Sequence, residues 1–335
     1  MSDEFAETGT MMPHKRMLCL TLAAAVLHAP HASAVEAAYP TRPLRLIVPY
    51  APGGGVDGVG RLMAQDIAPR LGQQIVIDNR GGGGGLIGLD IAAHSAPDGY
   101  TLLVGSVAVT SMPGLHKKLP FDPIRDFAPI TISVTGTYLL AVNLGVPAES
   151  VKELIALAKT SPGKLNFGSS GGGSTIHLAG EMLKSMAKID IVHVPYKSAG
   201  LAMTDMIGGH IQMMFAPVLV LLPMAKAGKI RALGVTSAQR SALVPDVPTI
   251  AEAGVPGFEV SGWYGLLAPA ATPRPIINRI YAVTMKGLES DAMKERLRSQ
   301  GLEPIGLSPE QSAKFLREDI ARWSRVIREA GIPQQ

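Results

Sequence analysis

The chain has 335 residues, 47% of them hydrophobic and 17% charged, with a formal charge of +4. A composition this apolar buries a substantial core and excludes a largely disordered protein, and the length fits about two domains. The mild positive charge comes without a basic run interleaved with aromatics, so no nucleic acid partner is expected.

The first element in chain order is a leader. Lys15 and Arg16 precede an apolar stretch, Met17 to Leu27, and then the small-x-small site Ala32-Ser33-Ala34. This pattern predicts a signal peptide over residues 1–34, cut after Ala34, and hence a periplasmic protein. The acidic opening before Met11 does not resemble a leader, which places the expected start of translation at Met11 or Met12. Cys19, the single cysteine, lies inside the leader, so no disulfide, cysteine-ligated metal or cysteine nucleophile is expected in the mature chain. It also precedes most of the apolar stretch, which argues against a lipid anchor. Of the 31 bases and 27 acids, two and three precede residue 35, leaving 29 against 24.

From Leu44 the pattern alternates. Strands are predicted at Leu44–Tyr50, Gln74–Asp78 and Tyr100–Gly105, with helices at Val59–Leu71 and Leu86–His94 between them. A second series follows. It has a helix at Ser150–Ser161, strands at Lys164–Gly168, Asp190–Val194, Ile211–Phe215 and Ile230–Thr236, and helices at Ser174–Ala187, Ala199–Gly208 and Leu219–Gly228. A strand at Tyr264–Ala268 and helices at Pro275–Ser290 and Pro309–Ala330 close the chain. Strands alternating with helices imply parallel pairing and an α/β fold.

Three glycine loops, at Pro52–Gly55, Gly81–Gly85 and Ser169–Gly173, each sit between a strand and a helix. At such places helix N-termini offer unpaired N–H groups and positive partial charge to an anion, and glycine lets the backbone approach it. Two enzyme readings compete. Gly53, Gly55 and Gly58 have dinucleotide-binding spacing with Asp78 beyond, but Gly83, Gly85 and Gly88 match the same spacing in this glycine-rich chain. Gly168-Ser169-Ser170-Gly171-Gly172 fits a hydrolase nucleophile elbow with Ser170 as nucleophile and Asp205 and His210 downstream, though no separate oxyanion motif accompanies it. The histidines show no metal-ligand spacing, so no metal is expected; His177 and Glu181, four apart, read as a helix pair.

The run Tyr39 to Asp57, with Ala51-Pro52-Gly53-Gly54-Gly55-Val56-Asp57 at its end, closely resembles the opening of the Bug-type substrate-binding proteins of tripartite tricarboxylate transporters. Asp78-Asn79-Arg80, Ala96-Pro97-Asp98-Gly99-Tyr100, Leu119-Pro120-Phe121-Asp122-Pro123, His193-Val194-Pro195-Tyr196-Lys197, Val244-Pro245-Asp246-Val247-Pro248-Thr249 and Trp263-Tyr264-Gly265 extend the resemblance over the whole mature chain. It implies an α/β, type II periplasmic-binding-protein fold with two lobes joined by two hinge crossings. Lobe 1 would be residues 39–138 plus 264–335 and lobe 2 residues 139–263, with crossings near Tyr138–Val142 and Ser261–Tyr264. It further implies a non-enzymatic clamp, without cofactor and monomeric, that captures a small carboxylate and delivers it to a membrane permease; a ligand-sensing clamp for a signalling partner would use the same machinery. The positions that match the family's ligand contacts are Gly53, Gly54, Gly55, Val56, Asp57 and Ser106 from lobe 1, and Ser169, Ser170, Gly171, Gly173, Ser174, Lys197 and Ser198 from lobe 2. Asp57 opens its helix and is expected to cap N–H groups or to accept from an amino group or water. Met112, Ala216 and Ser198 depart from the family pattern, where asparagine, aspartate and glycine are common, and favour a more apolar acid without an amine.

Overall fold

The largely aliphatic run Leu44–Val48 becomes strand β1, buried except at Arg45, and pairs in parallel with β2 (Ile75–Asn79) and β3 (Thr101–Ser106). This structure is a computed structural model that describes residues 39–334. The expected leader, with Cys19 and the cut after Ala34, lies outside the described residues.

Helix α1 (Gly55–Leu71) links β1 to β2. It begins four residues before the predicted Val59, because its first turn is built from the glycine run and carries no apolar periodicity. It ends where Gly72 turns left-handed, at φ 72°. A short 3-10 turn at Gly83–Gly85 leads into α2 (Leu86–Ala93) and on to β3. Directly after β3 comes α3 (Val107–Leu115), which the sequence pattern did not reveal. All but one of its residues are buried, so it shows no polar face for periodicity to detect.

The central element is β4, a 17-residue strand from Phe127 to Asn143. Beyond it, α4 (Val151–Thr160), β5 (Leu165–Ser169), α5 (Thr175–Ala187), β6 (Ile191–Pro195), α6 (Ala199–Ile207), β7 (Met213–Pro217), α7 (Val218–Lys226) and β8 (Ile230–Val235) follow in the alternation expected. The chain then returns through β9 (Ser261–Pro269), α8 (Arg274–Leu288), α9 (Asp291–Arg298), β10 (Leu302–Pro304) and α10 (Pro309–Glu329).

The strands form one sheet in the order β2-β1-β3-β9-β4-β7-β5-β6, with β8 and β10 also paired to β4. Residues 127–137 of β4 pair antiparallel with β9, and residues 138–143 pair with β7 and β8. The partner exchange therefore falls at Thr137 and Tyr138. On one side of it β1, β2 and β3 run parallel; on the other, β5 runs parallel to both β6 and β7. Helix α8 packs on α1, and α10 packs on α3 and β4. Among the described residues no helix is long and apolar enough to cross a membrane.

Candidate functional site

The carboxyl ends of β1, β3, β5 and β7 turn toward one cavity, and each hands the chain to a helix there. The cavity is lined by Tyr50, Gly54, Gly55, Val56, Ser106, Tyr138, Ser170, Ser174, Thr175, Ile176, Ala199, Pro217 and Tyr264. Five helix N-termini converge on it: Gly54 and Gly55 open α1, Ser106 caps α3, Ser174 and Thr175 open α5, Ala199 opens α6, and Pro217 precedes α7. Each brings unpaired backbone N–H groups and the positive end of a helix dipole. At Gly54, Ser106 and Pro217 no side chain caps the helix, so these first-turn N–H groups are not consumed by a cap.

Among the described residues, no lysine, arginine, histidine, aspartate or glutamate lines the cavity. The polar side chains are hydroxyls. Burial pushes the phenols of Tyr50, Tyr138 and Tyr264 up, reinforced at Tyr50 and Tyr264 by the neighbouring Tyr138, so all three remain protonated donors at neutral pH. Tyr50 donates to the Gly84 carbonyl at 2.8 Å, and the Tyr138 and Tyr264 hydroxyls lie 3.4 Å apart on the cavity floor.

The walls meet closely. The Ala51 N–H donates to the Lys197 carbonyl at 3.1 Å, and Ser111 donates to the Gly173 carbonyl at 2.6 Å. Gly84 lies against Gly171 and Gly172, backbone on backbone, and Gly53 lies against Gly200. The remaining cavity volume is about 20 Å³, room for roughly one water molecule. A larger ligand enters only if the walls separate.

The predicted site residues divide into two groups. Gly54, Gly55, Val56, Ser106, Ser170 and Ser174 line the cavity; Gly53, Asp57, Ser169, Gly171, Gly173, Lys197 and Ser198 do not. Asp57, only 5% exposed, accepts from the Gly53 N–H at 3.1 Å, from Asn79 at 2.9 Å and from Arg61 at 3.0 Å. Burial opposes its ionisation, but these donors outweigh burial and hold its carboxyl below the ordinary range. It anchors the first glycine loop from behind. The Gly171 and Gly173 N–H groups are already engaged, the first to Ser169 Oγ of the same loop at 3.0 Å and the second to His177 Nδ1 of α5 at 3.2 Å. Ser198 caps α6 by accepting from the Leu201 N–H, and Lys197 contributes its carbonyl across the cleft rather than its ammonium.

The cavity also uses Tyr50, Tyr138, Thr175, Ile176, Ala199, Pro217 and Tyr264, of which only Tyr138 and Tyr264 fall in the expected hinge crossings. The others belong to different elements, distant in sequence, and only the topology joins them. Of the departures, Met112 is fully buried and its thioether underlies Gly173, while Ala216 is fully buried in β7 opposite Leu139.

Neither enzyme pattern assembles. Asp78 is paired with Arg45 and Arg80 rather than open to a ribose. Asp205 accepts from the Tyr196 hydroxyl, and His210 lies exposed in the turn beyond. Among the described residues no hydrogen bond joins Ser170 to a histidine, and none of the acids and histidines gather into a group able to hold a metal.

Two crossing strands, parallel sheet edges on either side and a cleft ringed by helix N-termini define the class: the fold is that of the periplasmic binding proteins. A family model described as the tripartite tricarboxylate transporter family receptor matches residues 59–332. The chain belongs to this receptor family. It is 36% identical to protein BugT of Bordetella pertussis, over 88% of this chain and 90% of BugT. A solved R. palustris protein with adipate is 36% identical with a TM-score of 0.86, covering 89% of this chain and 100% of that one. MatC from Rhodopseudomonas palustris with bound malate is 33% identical with a TM-score of 0.83, covering 86% of this chain and 100% of MatC.

Proposed function

We propose that this protein is a periplasmic clamp that captures a small carboxylate between two lobes, residues 39–138 with 264–335 and residues 139–263, and delivers it to a membrane permease of the tripartite tricarboxylate type. The observation that carries this reading is the convergence of five helix N-termini on a cavity without a charged side chain. Such a cavity attracts an anion through main-chain dipoles and hydroxyl donors. It provides no carboxylate to receive an ammonium, which disfavours amino acids. The relatives solved with adipate and with malate support a dicarboxylate as cargo.

The narrowness of the closed cavity makes capture and closure one event: the ligand favours the closed form through contacts that exist only there. The hinges are the β4 partner exchange at Thr137–Tyr138 and the start of β9 at Ser261, which pairs with Thr137. The protein acts without catalysis and without a cofactor.

Thermal shift and calorimetry on the chain from Val35 onward test the reading against adipate, malate, aspartate, glutamate, benzoate and a nicotinamide dinucleotide. One dicarboxylate is expected to stabilise the protein, by about 2.7 kcal/mol at 100 times its dissociation constant. Because no fixed side-chain charge pairs with the ligand, affinity is expected to change less than about threefold between 0.05 and 0.5 M salt, as surface ion pairs are what such salt screens. A response to the dinucleotide alone, or tighter binding of glutamate than of adipate and malate, would overturn the assignment.

A further inference from the structure

Directly behind the second glycine-rich wall of the cavity lie two imidazoles that the capture mechanism has not used. His177 belongs to the first turns of α5, and His193 to the edge strand β6. Their rings are 4.1 Å apart, and His193 stacks on Phe167 at 5.0 Å. Both bond to the loop Ser169–Ser174, which supplies Ser170 and Ser174 to the cavity.

The chemistry of these bonds fixes the proton positions. The Gly173 N–H, 3.2 Å from His177 Nδ1, can only donate, so Nδ1 carries a lone pair and the ring proton sits on Nε2. Ser169 Oγ accepts from the Gly171 N–H at 3.0 Å and has one proton to give, with the Gly171 carbonyl at 3.3 Å and His193 Nε2 at 2.6 Å as the acceptors in reach. The Gly171 carbonyl already accepts from Ser174 Oγ at 2.8 Å and from the Ser174 N–H at 3.2 Å. The Ser169 proton therefore goes to His193 Nε2, at 2.6 Å, which places the His193 ring proton on Nδ1. Gly171 and Gly173 sit at φ 109° and 82°, a region with no preference of its own that would hold the loop in shape. The two rings supply that shape from outside.

We propose that His177 and His193 are positioning residues: as neutral hydrogen-bond acceptors they fix the Ser169–Ser174 loop so that Ser170, Ser174 and the first N–H groups of α5 face the ligand. The proposal rests on that segment receiving the ligand, as in the function proposed above. Neither ring touches the cavity. The titratable groups facing them are each other, Glu181, whose Oε1 is 3.8 Å from His177 Nε2, and, through Glu181, Lys184. Burial pushes His177 down to about 4, and burial together with the His177 ring pushes His193 down to about 3. Both rings thus stay neutral as the role requires, and the ties are lost only as pH falls through about 4.

Two measurements test this. The first is made on the ligand-free protein: long-range ¹⁵N–¹H correlation spectra at pH 7 report the ring tautomers. His177 protonated on Nε2 and His193 on Nδ1 are expected; the opposite tautomer on either ring, or a charged ring at pH 7, overturns the proposal whatever the ligand proves to be. The second is calorimetry with adipate and malate on paired variants. His177→Phe and His193→Phe keep ring volume but delete the acceptor, and are expected to weaken binding about tenfold or more. His177→Asn and His193→Gln place an amide oxygen near Nδ1 and Nε2 respectively, and are expected to recover most of the affinity. Thermal stability should run the other way, the Phe variants holding it better than the amide variants, because buried apolar volume rather than the acceptor decides it. Affinity that follows thermal stability instead of the acceptor would reduce both residues to core packing. Failure of the wild-type protein to bind any carboxylate would sink the proposed cargo but leave the tautomer result to decide this inference.

Discussion

Gly84→Ala is expected to weaken ligand binding about a hundredfold or more while leaving the protein folded. A Cβ built on Gly84 would stand 1.7 Å from the Gly172 carbonyl oxygen and 2.7 Å from its carbonyl carbon, and one built on Gly171 would stand 2.7 Å from the Gly84 backbone. Both neighbours are main chain, which cannot rotate aside as a flexible side chain can. The collision exists only when the walls meet, so it penalises the closed form alone. Opening the walls removes the overlap and also the bonds from Ala51 to Lys197 and from Ser111 to Gly173. A hundredfold loss corresponds to about 2.7 kcal/mol. Gly84 also has φ 66°, and alanine there adds strain of about 1 kcal/mol in open and closed forms alike. Gly72→Ala separates the two effects: its φ is 72°, but nothing lies within 4 Å of its Cβ position, and it ends α1 outside the cavity lining. That variant should lose similar stability and bind normally. Calorimetry and small-angle scattering read the result. A Gly84→Ala protein that binds and compacts like the wild type would show that closure does not need this contact.

The largest loss of stability from a single polar side chain is expected at Asp319. Its carboxylate is 5% exposed and joins three elements: Oδ2 accepts from Thr110 of α3 at 2.6 Å and from the Trp263 indole of β9 at 2.9 Å, while Asp319 itself sits on α10. Burial pushes its carboxyl up, and the donors Thr110 and Trp263 and the Arg322 guanidinium oppose that rise. In Asp319→Ala, Thr110 retains the Val107 carbonyl as acceptor, at 3.0 Å. Trp263 loses the acceptor of its buried N–H. Hydrogen bonds to a charged group contribute about 1.5–3 kcal/mol, and a stranded buried donor costs about 1–3 kcal/mol, so a loss of about 3 kcal/mol is expected. This should lower the urea midpoint by about 1 M at a slope near 3 kcal/mol per molar. Asp319→Asn, which keeps an oxygen for Trp263, should lose about a third as much. An unchanged midpoint would mean that the desolvation of the carboxylate cancels its bonds, a balance that buried charges do reach.

The parts of the fold legible in the sequence were those with local signatures. Apolar runs ended by Gly or Pro located β1, β2, β3, β5, β6, β7 and β8 to within a residue or two at most ends, and amphipathic spacing located α5, α8 and α10. Helix α3 escaped because it is apolar on all sides, and β4 escaped as a unit because its inward and outward residues change character where it exchanges partners. The glycine loops were correctly placed at helix N-termini, but which of their N–H groups face the cavity depends on side chains elsewhere. Asp57 and His177 each engage a loop amide that spacing alone would offer to a ligand. Likewise Tyr50, just past β1, meets Tyr138 of β4 and Tyr264 of β9 only because the sheet runs in the order β1-β3-β9-β4, a long-range fact that no window of sequence contains.

The five helix N-termini around the cavity have a consequence for how such a protein diversifies. Their positive potential belongs to the main chain and to the topology, so no single substitution of a lining side chain removes it and no pH change near neutrality titrates it. Substitutions at Val56, Ile176 or Ala199 alter the shape and wetness of the cleft while its sign of charge stays fixed. Size selectivity and charge selectivity are in this way separately heritable: drift in the lining explores new cargoes without first passing through a receptor that has lost its pull on anions.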